Sequence, residues 1–286
     1  MVETTTDEGA APVSSTDDSS LPVDVGVLAG HPPQSVADVR KTYRDQAATI
    51  DRMSWLNRLL PGRHRRRLFG DANGRVLDVA CGVGTNARYL PEVSEYVGID
   101  VSPEMLAKAV QPLDDRSRET TLHEMDARDL AFLDDSFETV ISPLSTCTFP
   151  DPVEARSEMG RVCAPDGRIL LLEHGRSSVG PTARFQDWRA DAHFEKHSCR
   201  WNQNPLDIVA RSPLTVVVDR VAQDHHRHHG PSGVRIGTHD ATSAVTAGGR
   251  FHRVYSITLS SCLLLAQLAL EEGNSAWLFI LSDGST

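Results

Sequence analysis

The residues from Val76 to Leu90, VLDVACGVGTNARYL, set an acid and two glycines within one short stretch. An apolar run ends at Asp78, and the small-residue loop ACGVGT follows it. Glycine lets a backbone approach a ligand and take turns that a Cβ would block, so Gly82 and Gly84 suit a nucleotide-holding loop. GVGTNA also satisfies a dinucleotide fingerprint, with Asp100 as the ribose acid about twenty residues on. An NAD-type oxidoreductase is therefore one reading. Asp78 supports another: a carboxylate at that strand tip repels a pyrophosphate and favours a ligand with a cationic amino group and no phosphate. Asp126, in MDARDL, can accept from an exocyclic amine while the Ala127 N–H meets a ring nitrogen.

Elements must hold these residues in place. From Gly74 the texture alternates between apolar strands and helical segments. RVLDVA, EYVGIDV, TTLHEMDARDL (ending at Asp126), SFETVISPLST, RILLLEHG and LTVVVDR read as strands. NARYLPEV, SPEMLAKAVQPL, DPVEARSEMGRVCAPDG and NPLDIVARS read as helices, the second with Ser102 as N-cap and Pro103 at the first helical position. This alternation predicts an α/β fold with a doubly wound, mostly parallel sheet and helices on both faces. A nucleotide then sits at the carboxyl ends of the strands.

Four regions follow. Residues 1–30 are rich in Thr, Ser and Asp and are expected to form a disordered acidic tail. Residues 31–70 form N-terminal helices, with a stripe of Val36, Val39, Tyr43, Ala47, Ile50, Met53, Leu56 and Leu60 that stops before Pro61. The basic cluster Arg63–Arg67 reads as a solvated helix face. Residues 71–220 hold the binding domain. Beyond Arg220 the composition shifts: residues 221–286 carry six of the twelve histidines. HHRHH there has no carboxylate at helical spacing and is not read as a metal site. The uncharged run Val254–Leu270 is expected as a buried or surface helix rather than a membrane span.

The net charge of −10 argues against a nucleic-acid partner. Lysine occurs only at Lys41, Lys108 and Lys196, a bias that suits a halophilic, salty cytoplasm. Five cysteines without a CxxC pair predict neither a disulfide framework nor a metal site, and a reducing compartment. No signal peptide is expected, because the first twenty residues have neither a basic start nor an apolar core.

A ligand with a ribose, an adenine, an amino-acid head and no phosphate is S-adenosylmethionine. Over residues 35–220 the sequence resembles the class I S-adenosylmethionine-dependent methyltransferases, in the type 11 or ubiquinone/menaquinone-methyltransferase-like branch. The glycine loop, the acids at 100 and 126, and APDGRILLLEHG carry the resemblance. It implies a Rossmann-like methyltransferase fold. It also implies that Asp78, Ala80, Gly82 and Gly84 hold the methionine portion, with Ala80 where the family often has glycine. Asp100 would take the ribose hydroxyls and Met105 would cover an adenine face. Asp126 and Ala127 would read the adenine edge. Val101, Ser142 and Tyr43 complete the cofactor-binding set, Tyr43 from a lid helix. The family's sixth strand is followed by a seventh, antiparallel strand inserted beside it. Here the nearest candidate, FHRVYSITLSSCLLL, comes late, as a changed reading frame or a long insertion would make it.

Methyl transfer is an in-line displacement in which alignment supplies most of the acceleration. A base is needed only where the acceptor must lose a proton. Candidates are Glu173 and His174, which alternate in direction so that only one faces the pocket, then His193, His197 and Cys199. Cys147, Trp188 and Trp201 are expected to wall a small acceptor: quinone-like, lipid or thiol. A non-catalytic S-adenosylmethionine-binding protein is the remaining alternative.

Overall fold

The computed structural model describes residues 34–52, 62–114, 119–177, 180–212, 214–222 and 253–259. The expected tail at 1–30 and the HHRHH run lie outside these residues. The chain order is α1 (Val36–Arg52), α2 (Gly62–Phe69), β1 (Arg75–Val79), β2 (Glu95–Asp100), α3 (Pro103–Asp114), β3 (Glu119–Glu124), β4 (Phe137–Pro143), α4 (Pro152–Val162), β5 (Cys163–His174), α5 (Gly180–His197), α6 (Pro205–Arg211), β6 (Thr215–Ala222) and β7 (Arg253–Leu259). Short 3₁₀ turns at Thr85–Tyr89 and Thr146–Thr148 follow β1 and β4. The first replaces the helix expected at NARYLPEV, which Pro91 cuts short.

The strands form one sheet in the order β3-β2-β1-β4-β5-β7-β6. Every pairing in it is parallel. The expected doubly wound sheet is therefore present, and its order reverses between β1 and β4, where a ligand crevice belongs. Alternation along each strand divides the core between two faces. Leu77, Val79, Ile169 and Leu171 pack with Ala155, Met159 and Val162 of α4. Val76, Tyr96, Leu170 and Leu172 pack with Leu68 and Phe69 of α2 and with Ala109 and Leu113 of α3. Strands buried on both faces read as continuous apolar runs, as RILLL does.

Two helix starts follow directly from sequence. Asp151 accepts hydrogen bonds from the Val153 and Glu154 N–H groups, with Pro152 in the first turn of α4. The Ser102 hydroxyl accepts from Met105 N at the start of α3.

The C-terminal edge departs from expectation in two ways. Residues 254–259 of the uncharged run are strand, not helix. That strand fills the slot between β5 and β6, but runs parallel to both rather than antiparallel. A tight connection from β6 would force antiparallel pairing; the long intervening segment 223–252 gives the chain room to return to the other end of the sheet. Among the described residues, no helix is long and apolar enough to cross a membrane.

Candidate functional site

The loop after β1 is set by backbone conformation. Ala80, Gly82 and Gly84 all have positive φ, at 57°, 57° and 73°. Glycine adopts this region freely, whereas an L-residue is strained there. At Gly84 space adds a second constraint, since a Cβ would lie 3.2 Å from Ala109 Cβ and 3.3 Å from Leu113. Ala80 carries a Cβ in this region, at a conformational cost.

Asp100, at the tip of β2, clamps this loop. One carboxylate oxygen accepts from Gly82 N and the other from Ser102 N, both at 2.9 Å. Each oxygen keeps a lone pair for a further donor. Burial pushes the Asp100 carboxyl above its usual range, against the pull of the Ser102 and Gly82 N–H groups.

Two adjoining clefts open over the loop. The first is lined by Val36, Val39, Tyr43, Ala80, Gly82, Asp100, Val101, Met105, Asp126, Ala127 and neighbours. Most of the expected cofactor set thus meets in one place. Met105 and Ala127 are almost fully buried, and the Asp126 carboxylate is already held by the Arg128 guanidinium at 2.8 Å. The second cleft shares Tyr43, Ala80, Gly82, Met105, Pro143 and Leu144 with the first. It adds Gln46, Arg65, Asn86, Cys147, His174, His193, His197 and Cys199.

Helix α1 covers the loop. Tyr43, Ala47 and Ile50 pack on Val83 and Met105. The helix is tied down by Arg40 Nε donating to the Val101 carbonyl at 2.8 Å, and by Gln46 Nε2 donating to the Lys196 carbonyl at 2.8 Å. Tyr43 lines both clefts from this helix.

Several expected residues sit elsewhere. Asp78 is fully buried beneath the loop and lines neither cleft. It shares strand parity with Val76, so it points toward the α2–α3 face. There it accepts from Tyr96 Oη at 2.7 Å and from Asn86 Nδ2 at 3.0 and 3.2 Å. Burial raises its pKa to about 7, against those two hydrogen bonds and the nearby Arg65 charge. Its direct contacts hold the loop from below. Ser142 is likewise buried behind the cleft, 2.6 Å from the hydroxyl of Ser145, which does line it.

Parity also separates Glu173 from His174. Glu173 follows Leu171 onto the α4 face, where it is fully buried against Arg156 at 3.7 Å and accepts from the Thr146 hydroxyl. His174 follows Leu172 to the other face and lines the second cleft. Its Nε2 lies 3.6 Å from Cys199 Sγ, which in turn lies 3.2 Å from Cys147 Sγ.

The aromatic wall differs from expectation. Trp188 is 74% exposed, because the buried face of α5 is Ala183, Gln186, Ala190 and Phe194 and Trp188 falls on the opposite side. Trp201 is buried but lies behind the cleft, its Nε1 donating to the Gln186 carbonyl at 3.1 Å. It stacks on His193 at 4.3 Å between centroids, and His193 is the ring that faces the cleft. Burial, then His197, drives the His193 pKa down to about 3, so this ring is neutral at ordinary pH.

Arg65 was hidden in the sequence. The basic cluster reads as solvated, yet Arg65 is only 6% exposed and lines the second cleft. Burial lowers its pKa to about 10, while Tyr89 and Asp78 hold it up. The available signal was its spacing of three and four from Leu68 and Phe69, which puts all three on one helix face.

Residues 77–171 match a family model described as a methyltransferase domain. The chain is 33% identical over 162 residues to a phosphatidylethanolamine N-methyltransferase of Cereibacter sphaeroides, covering 54% of this chain and 78% of that protein. It is 38% identical over 133 residues to a demethylmenaquinone methyltransferase of Thermus thermophilus, covering 43% of this chain and 60% of the relative. A solved structure, the YcgJ protein of Bacillus subtilis, is 25% identical over 52% of this chain and 64% of its own, with a TM-score of 0.43. The oxidoreductase reading of the glycine loop gives way to these relatives, and the loop, the acids and the sequence matches agree on one statement: the chain belongs to the class I S-adenosylmethionine-dependent methyltransferases, in the ubiquinone/menaquinone methyltransferase-like branch.

Proposed function

We propose that this methyltransferase acts on a small molecule: a quinone-like ring, a lipid head group or a thiol. The carrying observation is the pair of adjoining clefts, which share the glycine loop and Met105 but differ in chemistry. The first suits an adenosine. Asp100 offers lone pairs to ribose hydroxyls, Met105 an apolar face, and Asp126 with Ala127 an acceptor and a donor for the base edge. Arg65 lines the far side of the shared loop and suits the carboxylate of an amino-acid head. S-adenosylmethionine bound there supplies an activated sulfonium methyl.

The second cleft suits the acceptor. Away from the shared loop its polar groups include His174, His193, His197 and the thiols of Cys147 and Cys199, and Tyr43, Pro143 and Leu144 give it apolar walls. His174 engages the acceptor's reacting heteroatom. The neutral His193 ring is a flat surface and a hydrogen-bond partner, not a charge. Tyr43 excludes water from above, and the chain's main contribution is orientation. The relatives' names, covering a phospholipid amine and a demethylmenaquinone, support an acceptor of this size.

The test is methyl transfer from S-adenosylmethionine to a panel of quinols, ethanolamine phospholipids and thiols. Turnover is expected with one class. Donor binding without transfer to any of them favours the non-catalytic reading instead.

A further inference from the structure

We propose that Cys147, His174 and Cys199 form a site for a zinc-like divalent cation in the wall of the acceptor cleft. Cys147 comes from the 3₁₀ turn after β4, His174 from the tip of β5, and Cys199 from the segment after α5. No sequence spacing relates them, yet their ligating atoms all lie within 4.8 Å of one another. All three are buried, at 2%, 4% and 8% exposure. Among the described residues no other group of three His, Cys, Asp or Glu side chains converges in this way.

The donor set selects the ion. Two thiols and an imidazole suit zinc and disfavour magnesium or calcium, which take oxygen. Tetrahedral zinc with Zn–S of about 2.3 Å and Zn–N of about 2.0–2.1 Å places S···N about 3.6 Å apart and S···S about 3.7 Å apart. The Cys199 Sγ to His174 Nε2 distance is 3.6 Å. The two sulfurs, at 3.2 Å, need to part by about half an ångström. The turn carrying Cys147 is anchored from behind, since Thr146 accepts from Arg156 at 3.0 Å and donates to Glu173. Support of this kind keeps a ligand in place.

Three protein ligands leave one tetrahedral position open, the arrangement of catalytic rather than structural zinc. All three ligands line the second cleft, so the open position serves the acceptor. There the cation binds a thiol or hydroxyl and favours its deprotonated form. This deepens the acceptor-side reading and rests on it: His174 then engages the acceptor through the cation.

The test uses the reduced full-length chain with neither donor nor acceptor, so its outcome is separate from that of the transfer assay. Titration with Co²⁺ is expected to produce a sulfur-to-cobalt charge-transfer absorption that saturates at one equivalent and is displaced by Zn²⁺. Cys147→Ser, Cys199→Ser and His174→Ala are each expected to weaken that site at least a hundredfold. In the unmodified chain, zinc is expected to slow alkylation of Cys147 and Cys199, read by peptide mass spectrometry, which needs no variant to fold. Histidines at 225–229 give no sulfur band, so metal held there is told apart. Absence of the band, a band undiminished in the cysteine variants, or alkylation indifferent to zinc overturns the proposal.

Discussion

The two walls of the site are built differently. The proposed donor wall comes mainly from residues 80 to 127, after three consecutive strand tips, with α1 and the turn after β4 closing it; it works largely through backbone N–H groups, small residues and carboxylates. The proposed acceptor wall draws Gln46, Cys147, His174, His193, His197 and Cys199 from separate segments and works through side chains. Local spacing specifies the first. Only the assembled fold specifies the second. One wall can therefore be altered with little effect on the other, and substitutions test that division.

The largest effect is expected at His174. His174→Ala should lower turnover by about a hundredfold or more, while donor affinity by calorimetry stays within about twofold. An equal loss of both would join the two walls into one. Asp100→Ala is the converse. Loss of a charge-assisted contact worth about 1.5–3 kcal/mol should weaken S-adenosylhomocysteine binding tenfold or more, with the thermal unfolding of the sheet retained.

Asp78 sharpens the comparison through pH. Its folded pKa of about 7 lies above the ordinary carboxylate value because of burial. The folded state therefore holds this proton more tightly than the unfolded chain does. Its contribution is fully present below the unfolded value near pH 4 and is lost as pH rises through about 7. Asp78→Asn should flatten the stability–pH curve over that window in denaturant titrations. An unchanged curve would show that the carboxylate does not titrate there.

Smaller effects mark the edges of the site. Ala80→Gly relieves a positive φ worth about 1–2 kcal/mol but adds unfolded-chain freedom worth about 0.5–1 kcal/mol. The net should lie between no change and a gain of about 1.5 kcal/mol in unfolding free energy. Trp188→Ala should change neither turnover nor donor affinity measurably, since the ring points away from both clefts. A loss of turnover would return it to the acceptor wall.

The same division explains what the sequence could reveal. The strands, the cap at Ser102, and Asp100, Asp126 and Ala127 are readable because strand order and loop spacing alone bring them together, whereas Met105 is legible only through the family resemblance. Asp78 was readable as special but not in its contacts, because Tyr96 reaches it only across the β1–β2 pairing. Trp188 misled because aromatic content says nothing of helix face. Cys147 and Cys199 carry no spacing signal, and only the packing of the α5 end against the β4 turn joins them. Arg65 was missed because four arginines hide a periodicity that the two apolar residues after them reveal.

The position of β7 has a kinetic consequence. It is the last described strand in the chain, yet it lies inside the sheet, paired on both sides with strands made before it. During synthesis β5 and β6 leave the ribosome with a vacant lane between them. The chain must then enter that lane from the same end as its neighbours, after a long excursion. Pairing of Arg168 with Arg253 closes a large loop, and such non-local contacts form slowly. Refolding from denaturant should therefore show a slow final phase that reports on β7, after a faster one in which β1 to β5 have already shaped the donor wall. Until that phase completes, the facing edges of β5 and β6 are open templates for strands of other chains.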